Sequence, residues 1–183
     1  MEKIRVVVAD DHPFVRIGIR KILSKTGDIL VVGEAGDGEQ ALDLVEQMQP
    51  DVLLLDVEMP SLNGIQVASH LQKKSSSVRI LVLSAYEDRQ HILGMLNGGV
   101  SGYLTKEEVP DTLVKAVRGV AAGEKGWVSQ RLAEKMISWR IQSGEQVFLS
   151  PRQREMLRLL AQERMNSRKT PSAMRYQAKA PKV

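Results

Sequence analysis

Five short apolar runs, at 4–9, 29–32, 52–55, 78–83 and 100–104, alternate with stretches whose apolar residues recur at helical spacing. Each run is too short and too β-branched to be a helix, so each reads as a strand. The intervening stretches carry Phe14, Ile17 and Ile22; Ala41, Leu42, Leu44, Val45 and Met48; and Ile65, Val67, Ala68 and Leu71. They continue with Ile92, Leu93, Met95 and Leu96, then Leu113, Val114, Val117 and Val120. Strict β-α alternation predicts an α/β fold, in which right-handed crossovers build a parallel sheet with helices on both faces. The punctuation agrees: Pro50 ends the second helix, Gly98-Gly99 ends the fourth, and Pro110 opens the fifth with Asp111 in its first turn.

The pattern stops near Ala122. Gly123-Glu124-Lys125-Gly126 reads as a turn, and residues 130–142 have helical character through Leu132, Met136, Ile137 and Ile141. The segment 123–148 is therefore expected to be a linker with a helix, in which Trp127 and Trp139 are packing residues. Ser150 as N-cap, Pro151 at N1 and Gln153 at N3 then mark a second helix start, with Met156, Leu157, Leu159 and Leu160 on its apolar face. Residues 165–183 show no sustained apolar period and read as mostly disordered.

At 183 residues and 43% hydrophobic content the chain can bury a real core. It has no cysteine, which removes disulfides, thiolate metal sites and cysteine nucleophiles and fits a cytoplasmic protein. No apolar stretch is long enough to cross a bilayer, so membrane insertion is not expected. The net charge of +4 is unevenly spread: residues 1–150 hold 17 Lys and Arg against 20 Asp and Glu, whereas residues 151–183 hold 9 against 2. A cationic tail of that kind attracts polyanions weakly and without sequence preference, or stays a solvated end.

Chemistry concentrates at strand ends, where parallel α/β sheets place their sites. Asp56 closes the buried run Asp51-Val52-Leu53-Leu54-Leu55, Asp10 and Asp11 follow the first strand, Ser84 ends the fourth and Lys106 follows the fifth. Three clustered carboxylates repel one another, and a hard divalent cation relieves this; Mg2+ suits a site of oxygen donors alone and keeps waters for a phosphate to replace. Lys106 would stand as a point charge opposite an incoming phosphoryl group, and Ser84 would donate its hydroxyl to it. The set fits phosphoryl transfer with Asp56 as nucleophile. Any one acid alone would be a solvated loop end.

Asp10-Asp11, the segment from Asp56 through Glu58, Pro60 and Gly64, Ser84-Ala85 and Lys106 together resemble the receiver domain of two-component response regulators, over roughly residues 3–122. The resemblance implies a doubly wound five-stranded sheet in the order 2-1-3-4-5. It implies that Asp56 accepts a phosphoryl group from a sensor histidine kinase, and that Asp10, Asp11, Asp56 and the main-chain carbonyl of Glu58 surround Mg2+. It further implies a switch in which Ser84 and Tyr103 move together, with Glu58 and Tyr86 tuning the pocket. Read without the resemblance, Tyr103 is a half-exposed strand residue. Receivers commonly follow this lysine with a cis proline, whereas Glu107 stands here, and a cis bond before a non-proline residue costs about 3–4 kcal/mol.

Leu149 to Ala161 resembles the first helix of the LuxR-type DNA-binding domain, and the resemblance implies a transcription regulator that forms a homodimer on phosphorylation. The stretch 164–183 lacks the spacing for the helices that follow in that family, so 149–183 is expected to be an incomplete, truncated or frameshifted module without sequence-specific DNA binding. A receiver acting only through protein contacts, as a decoy or phosphate sink, differs only in this tail. An aspartyl-phosphate phosphatase would need a second aspartate where Glu58 stands, and a flavin protein would need a hydroxyl-rich loop where Asp10-Asp11 would repel phosphate. The chain is expected to modify only itself and not to be an enzyme. Gly33 to Gly38 has the wrong glycine order for a dinucleotide fingerprint, and His12, His70 and His91 lack metal-ligand spacing; His12 reads as a helix-start surface residue able to line the pocket rim.

Overall fold

The computed structural model describes residues 2–85 and 89–143. Strands β1 (Ile4–Ala9), β2 (Ile29–Ala35), β3 (Val52–Asp56), β4 (Arg79–Ser84) and β5 (Gly102–Thr105) alternate with helices α1 (Pro13–Leu23), α2 (Gly38–Met48), α3 (Gly64–Lys73) and α4 (Arg89–Asn97). A 3-10 turn (Lys106–Glu108) leads into α5 (Val109–Ala121), followed by β6 (Trp127–Val128) and α6 (Gln130–Ser143). The sheet is parallel in the order β2-β1-β3-β4-β5-β6. The five expected strands keep their expected order, and β6 adds a sixth at the edge.

Every residue of β3 is buried, as the central strand of a sheet covered on both faces requires. Val6, Val8, Leu54, Leu81, Leu83 and Leu104 project from the strands onto Ile19 and Leu23 of α1 and Leu113, Val117 and Val120 of α5. Local signals set the helix ends. Asp37 caps α2 by accepting from the Gln40 N–H at 2.8 Å, and Asn63 and Gln66 form a reciprocal capping box at α3. Gln49, ahead of Pro50, ends α2 in the left-handed region at φ 45°.

Residues 123–143 read from sequence as turn and helix; the structure draws a strand out of the turn's far side. Trp127 pairs with Gly102 and Val128 with Tyr103, and Leu132, Ala133 and Met136 of α6 are buried. Two residues are too few for a period-2 pattern to be visible, which is why β6 has no signature in the sequence. The seat for Trp127 is made of absent side chains. A Cβ on Gly102 would meet Trp127 O at 2.8 Å, and one on Gly119 would meet Trp127 Cδ1 at 3.0 Å. The helix expected at 151–162, the tail beyond it and Tyr86 lie outside the described residues.

Candidate functional site

The order β2-β1-β3 reverses direction of winding at β1, so the carboxyl ends of β1 and β3 open a crevice between them. Asp10 leaves β1 there and Asp56 is the last residue of β3; both are buried. One possible ligand atom from each of Asp10, Asp11, His12 and Asp56 lies within 4.8 Å of the others. Lys106, first after β5, reaches back across the sheet: its Nζ is 2.6 Å from Asp56 Oδ2 and 2.8 Å from Asp10 Oδ2. The lysine thus stands between the acids in direct contact, closer than a position opposite an incoming phosphoryl group, because two buried carboxylates draw the nearest positive charge.

Backbone bonds hold each acid. The Asp10 N–H donates to Ala35 O at 3.1 Å and Asp10 Oδ1 accepts from the His12 N–H at 2.9 Å. Asp56 Oδ1 accepts from the Glu58 N–H at 3.4 Å, which brings the Glu58 peptide to the pocket while the Glu58 side chain is exposed. The β3–α3 loop folds back on Asp56 through the Gly64 N–H, which donates to Val57 O at 2.9 Å. A Cβ at Gly64 would lie 2.2 Å from Asp56 O, so only glycine lets the loop close this tightly. Ser84 and Thr105, side by side in register, are both buried, and Thr105 Oγ1 donates to Glu108 Oε2 at 2.8 Å. Tyr103 is fully buried, not half-exposed. The Lys106–Glu107 peptide is trans.

Burial pushes the Asp56 carboxyl above its ordinary pKa, outweighing the Lys106 hydrogen bond and charge that pull it down; Asp10 nearby adds to the rise. Burial alone would lower the Lys106 ammonium, but its contacts with Asp10 and Asp56 reverse this and raise it. Asp10 Oδ2 is buried, with Lys106 Nζ 2.8 Å away. Together with Asp11 and Asp56 it offers hard oxygen donors around one point, a donor set that fits Mg2+. Exposed Asp11 is the acid open to solvent.

His12 is more than a surface residue at a helix start. Its side chain is 67% exposed, yet Nδ1 lies 2.6 Å from Asp11 Oδ1 and 3.5 Å from Asp10 Oδ1, placing it on the rim. Sequence reasoning also passed over Arg16, whose Nη1 donates to the Asp10 carbonyl at 2.6 Å. A basic residue four places after the helix start was the available signal. Asp10, Asp11, Asp56 and Lys106 are brought together, Ser84 and Tyr103 lie buried on the adjoining strands β4 and β5, and Tyr86 is outside the described residues.

Comparison with known proteins agrees with this geometry. Residues 6–118 match the response regulator receiver domain family. The nitrate/nitrite response regulator protein NarL of Escherichia coli K12 is 38% identical over 165 residues, covering 88% of this chain and 76% of that protein. The transcriptional regulatory protein DegU of Brevibacillus brevis is 41% identical over 121 residues, covering 66% of this chain and 51% of its own. Among solved structures, the signal receiver domain of NarL from Mycobacterium tuberculosis superposes with a TM-score of 0.66 at 42% identity, over 68% of this chain and all of that one. The isolated receiver domain of RcsB from Salmonella enterica, solved with a beryllium fluoride phosphomimetic, gives 0.68 at 27% identity over 73% of this chain and 98% of that one. With its acids, lysine and sheet order in place, the chain belongs to the response regulator receiver family, among two-component regulators similar to NarL.

Proposed function

We propose that Asp56 is the phosphoacceptor of a two-component relay and that its modification switches the β4–β5 side of the sheet. The observation that carries this reading is the buried Asp56 carboxylate at the switch point, held 2.6 Å from Lys106 with Asp10 beside it. An Asp56 oxygen attacks the phosphorus of a donor phosphohistidine; the P–N bond breaks, its electron pair stays on the imidazole nitrogen, and an acyl phosphate remains on Asp56. Asp10, Asp11, Asp56 and the Glu58 carbonyl would hold Mg2+, which would supply positive charge toward the transferred oxygens. Lys106 adds a second positive charge from the β5 side, which positions the group without proton transfer. Ser84, buried at the end of β4, donates its hydroxyl to the new phosphoryl group, and Tyr103 follows it on the neighbouring strand. Glu58, whose peptide N–H meets Asp56 Oδ1, would tune the lifetime of the acyl phosphate, and the family resemblance gives Tyr86 the same role.

The donor is a sensor histidine kinase in the cytoplasm. Phe14 and Ile65, in the first turns of α1 and α3, are 88% and 45% exposed and offer apolar surface to a protein partner. The chain acts on itself alone and is not an enzyme for other substrates. Its output is a change of partner, self-association included. The cationic stretch 151–183, with 9 Lys and Arg against 2 Asp and Glu, would attract DNA weakly and without sequence preference. Intact mass after acetyl phosphate tests the proposal: one phosphoryl group is added in Mg2+, none in chelator, and none to Asp56→Asn. Equal addition to the variant would overturn it.

A further inference from the structure

The chain carries a second shell of charge behind the acid pocket that the phosphoacceptor reading does not use. Arg16, one turn into α1, is mostly buried at 19% side-chain exposure, an uncommon place for a guanidinium. Its Nη1 donates at 2.6 Å to the main-chain carbonyl of Asp10, the residue that turns the chain from β1 toward Asp11. On the other side it meets Glu34: Arg16 Nε is 3.5 Å from Glu34 Oε2, and Arg20 Nη1 is 3.1 Å from Glu34 Oε1. Glu34 belongs to β2 and sits in register with Val8 of β1, so it is fixed to the sheet two residues before Asp10. The Gly36 position also borders this group, since a Cβ there would meet Arg16 Nη1 at 3.8 Å and nothing nearer.

We infer that Arg16, anchored by Glu34, is a positioning residue that presents Asp11 and Asp10 to the divalent cation of the pocket. The inference rests on the phosphoacceptor reading and deepens it. The physical reason lies in the peptide that joins the two acids. The Asp10 carbonyl belongs to the Asp10–Asp11 peptide plane, and pinning its oxygen fixes the direction in which Asp11 leaves that plane. Asp10 has its own anchors, an N–H on Ala35 and a side chain on the His12 N–H, whereas the Asp11 side chain meets the exposed His12 ring, 2.6 Å from Nδ1. Asp11 is therefore the acid with the least support of its own and the one whose aim depends on the plane behind it.

Charge points the same way. A guanidinium against the carbonyl polarises that peptide and puts positive charge behind a loop crowded with carboxylates, while Glu34 keeps the arginine from turning into the pocket as a rival cation. Outer groups that orient metal-binding carboxylates commonly alter metal affinity by about 10–100-fold when removed. Arg20 provides an internal control, because it shares Glu34 but has no contact with Asp10.

Isothermal titration with Mg2+ on the full chain separates the possibilities, with melting temperature recorded on the same samples. Arg16→Met is expected to weaken Mg2+ binding about tenfold, Arg16→Lys to recover part of that through a single donor, and Arg20→Ala to leave it near wild type. Acetyl phosphate labelling should then need proportionally more Mg2+ for Arg16→Met and reach the same final extent at saturation. Unchanged affinity in Arg16→Met, or an equal loss in Arg20→Ala, would overturn the positioning role. Should Arg16→Met not fold, the Arg16→Lys and Arg20→Ala pair decides: a loss confined to Arg16→Lys supports the role, and no difference between them refutes it. Wild type that neither binds Mg2+ nor gains phosphate would instead overturn the phosphoacceptor reading itself.

Discussion

Lys106 Nζ lies 2.6 Å from Asp56 Oδ2, a contact between residues 50 apart in the chain that closes the pocket from the β5 side. The lysine is the partner that lets two carboxylates stay buried together. Lys106→Met is expected to destabilise the metal-free protein by about 2–3 kcal/mol, less than for a fully buried pair because Lys106 keeps 20% exposure. Mg2+ should restore most of that loss. Urea denaturation with and without the ion reads both effects, and a variant as stable as wild type in chelator would show that the pair holds nothing together.

The pH behaviour of Asp56 follows from its raised pKa. The folded protein binds this proton more readily than the unfolded chain, so the Asp56 contribution to metal-free stability declines as pH climbs from the ordinary carboxylate range toward the raised value. Asp56→Asn lacks that decline and is expected to melt at a higher temperature than wild type in chelator at neutral pH, and to lose most of the rise that Mg2+ gives wild type. Thermal melts between pH 4 and 7 compare the two; parallel curves would count against a strained carboxylate at this site.

A second acid behaves in the opposite sense. Asp28, ahead of β2, accepts two 2.8 Å hydrogen bonds from Arg118 of α5, and this pairing holds its carboxyl down at about 2. A depressed pKa contributes stability above the ordinary value of 3.8 that is lost as the pH falls through about 2. The stability difference between wild type and Arg118→Gln should therefore be constant above pH 4 and vanish near pH 2. Both groups are solvent-exposed, so the difference is small and shrinks in high salt. A difference that persists at pH 2 would assign it to packing of the arginine stem.

Trp127 is predicted to hold β6 and α6 on the sheet. Trp127→Ala removes a buried aromatic and should cost about 3–5 kcal/mol, while Gly102→Ala, whose Cβ would lie 2.9 Å from Trp127 Cβ, should cost about 1–3 kcal/mol. Hydrogen exchange locates the damage: protection should fall first in residues 127–136. Loss spread evenly over β1 and β3 would mean that the sixth strand is not a separate layer of stability.

Much of this protein was legible as sequence because its signals are local. Apolar runs of strand length alternating with helical spacing specify the parallel sheet, since a strand buried on both faces needs continuous apolar residues and a crossover helix needs one apolar side. Asp56 announced itself as a charge closing the run Val52 to Leu55, and Asn63 with Gln66 announced the start of α3. Acids at ordered strand ends likewise revealed a pocket, because a doubly wound sheet leads the carboxyl ends of its central strands to one crevice.

Other relationships have no local trace. That Lys106 enters between Asp10 and Asp56, that Arg16 reaches the Asp10 carbonyl from a seat on Glu34, and that Gly102 and Gly119 leave room for Trp127 all depend on residues from separate elements. Periodicity says which face of an element is buried, but strand register and helix packing decide which atoms then come within 3 Å. Those distances exist only once the chain has closed on itself, and they are what turn a list of acids and bases into a site.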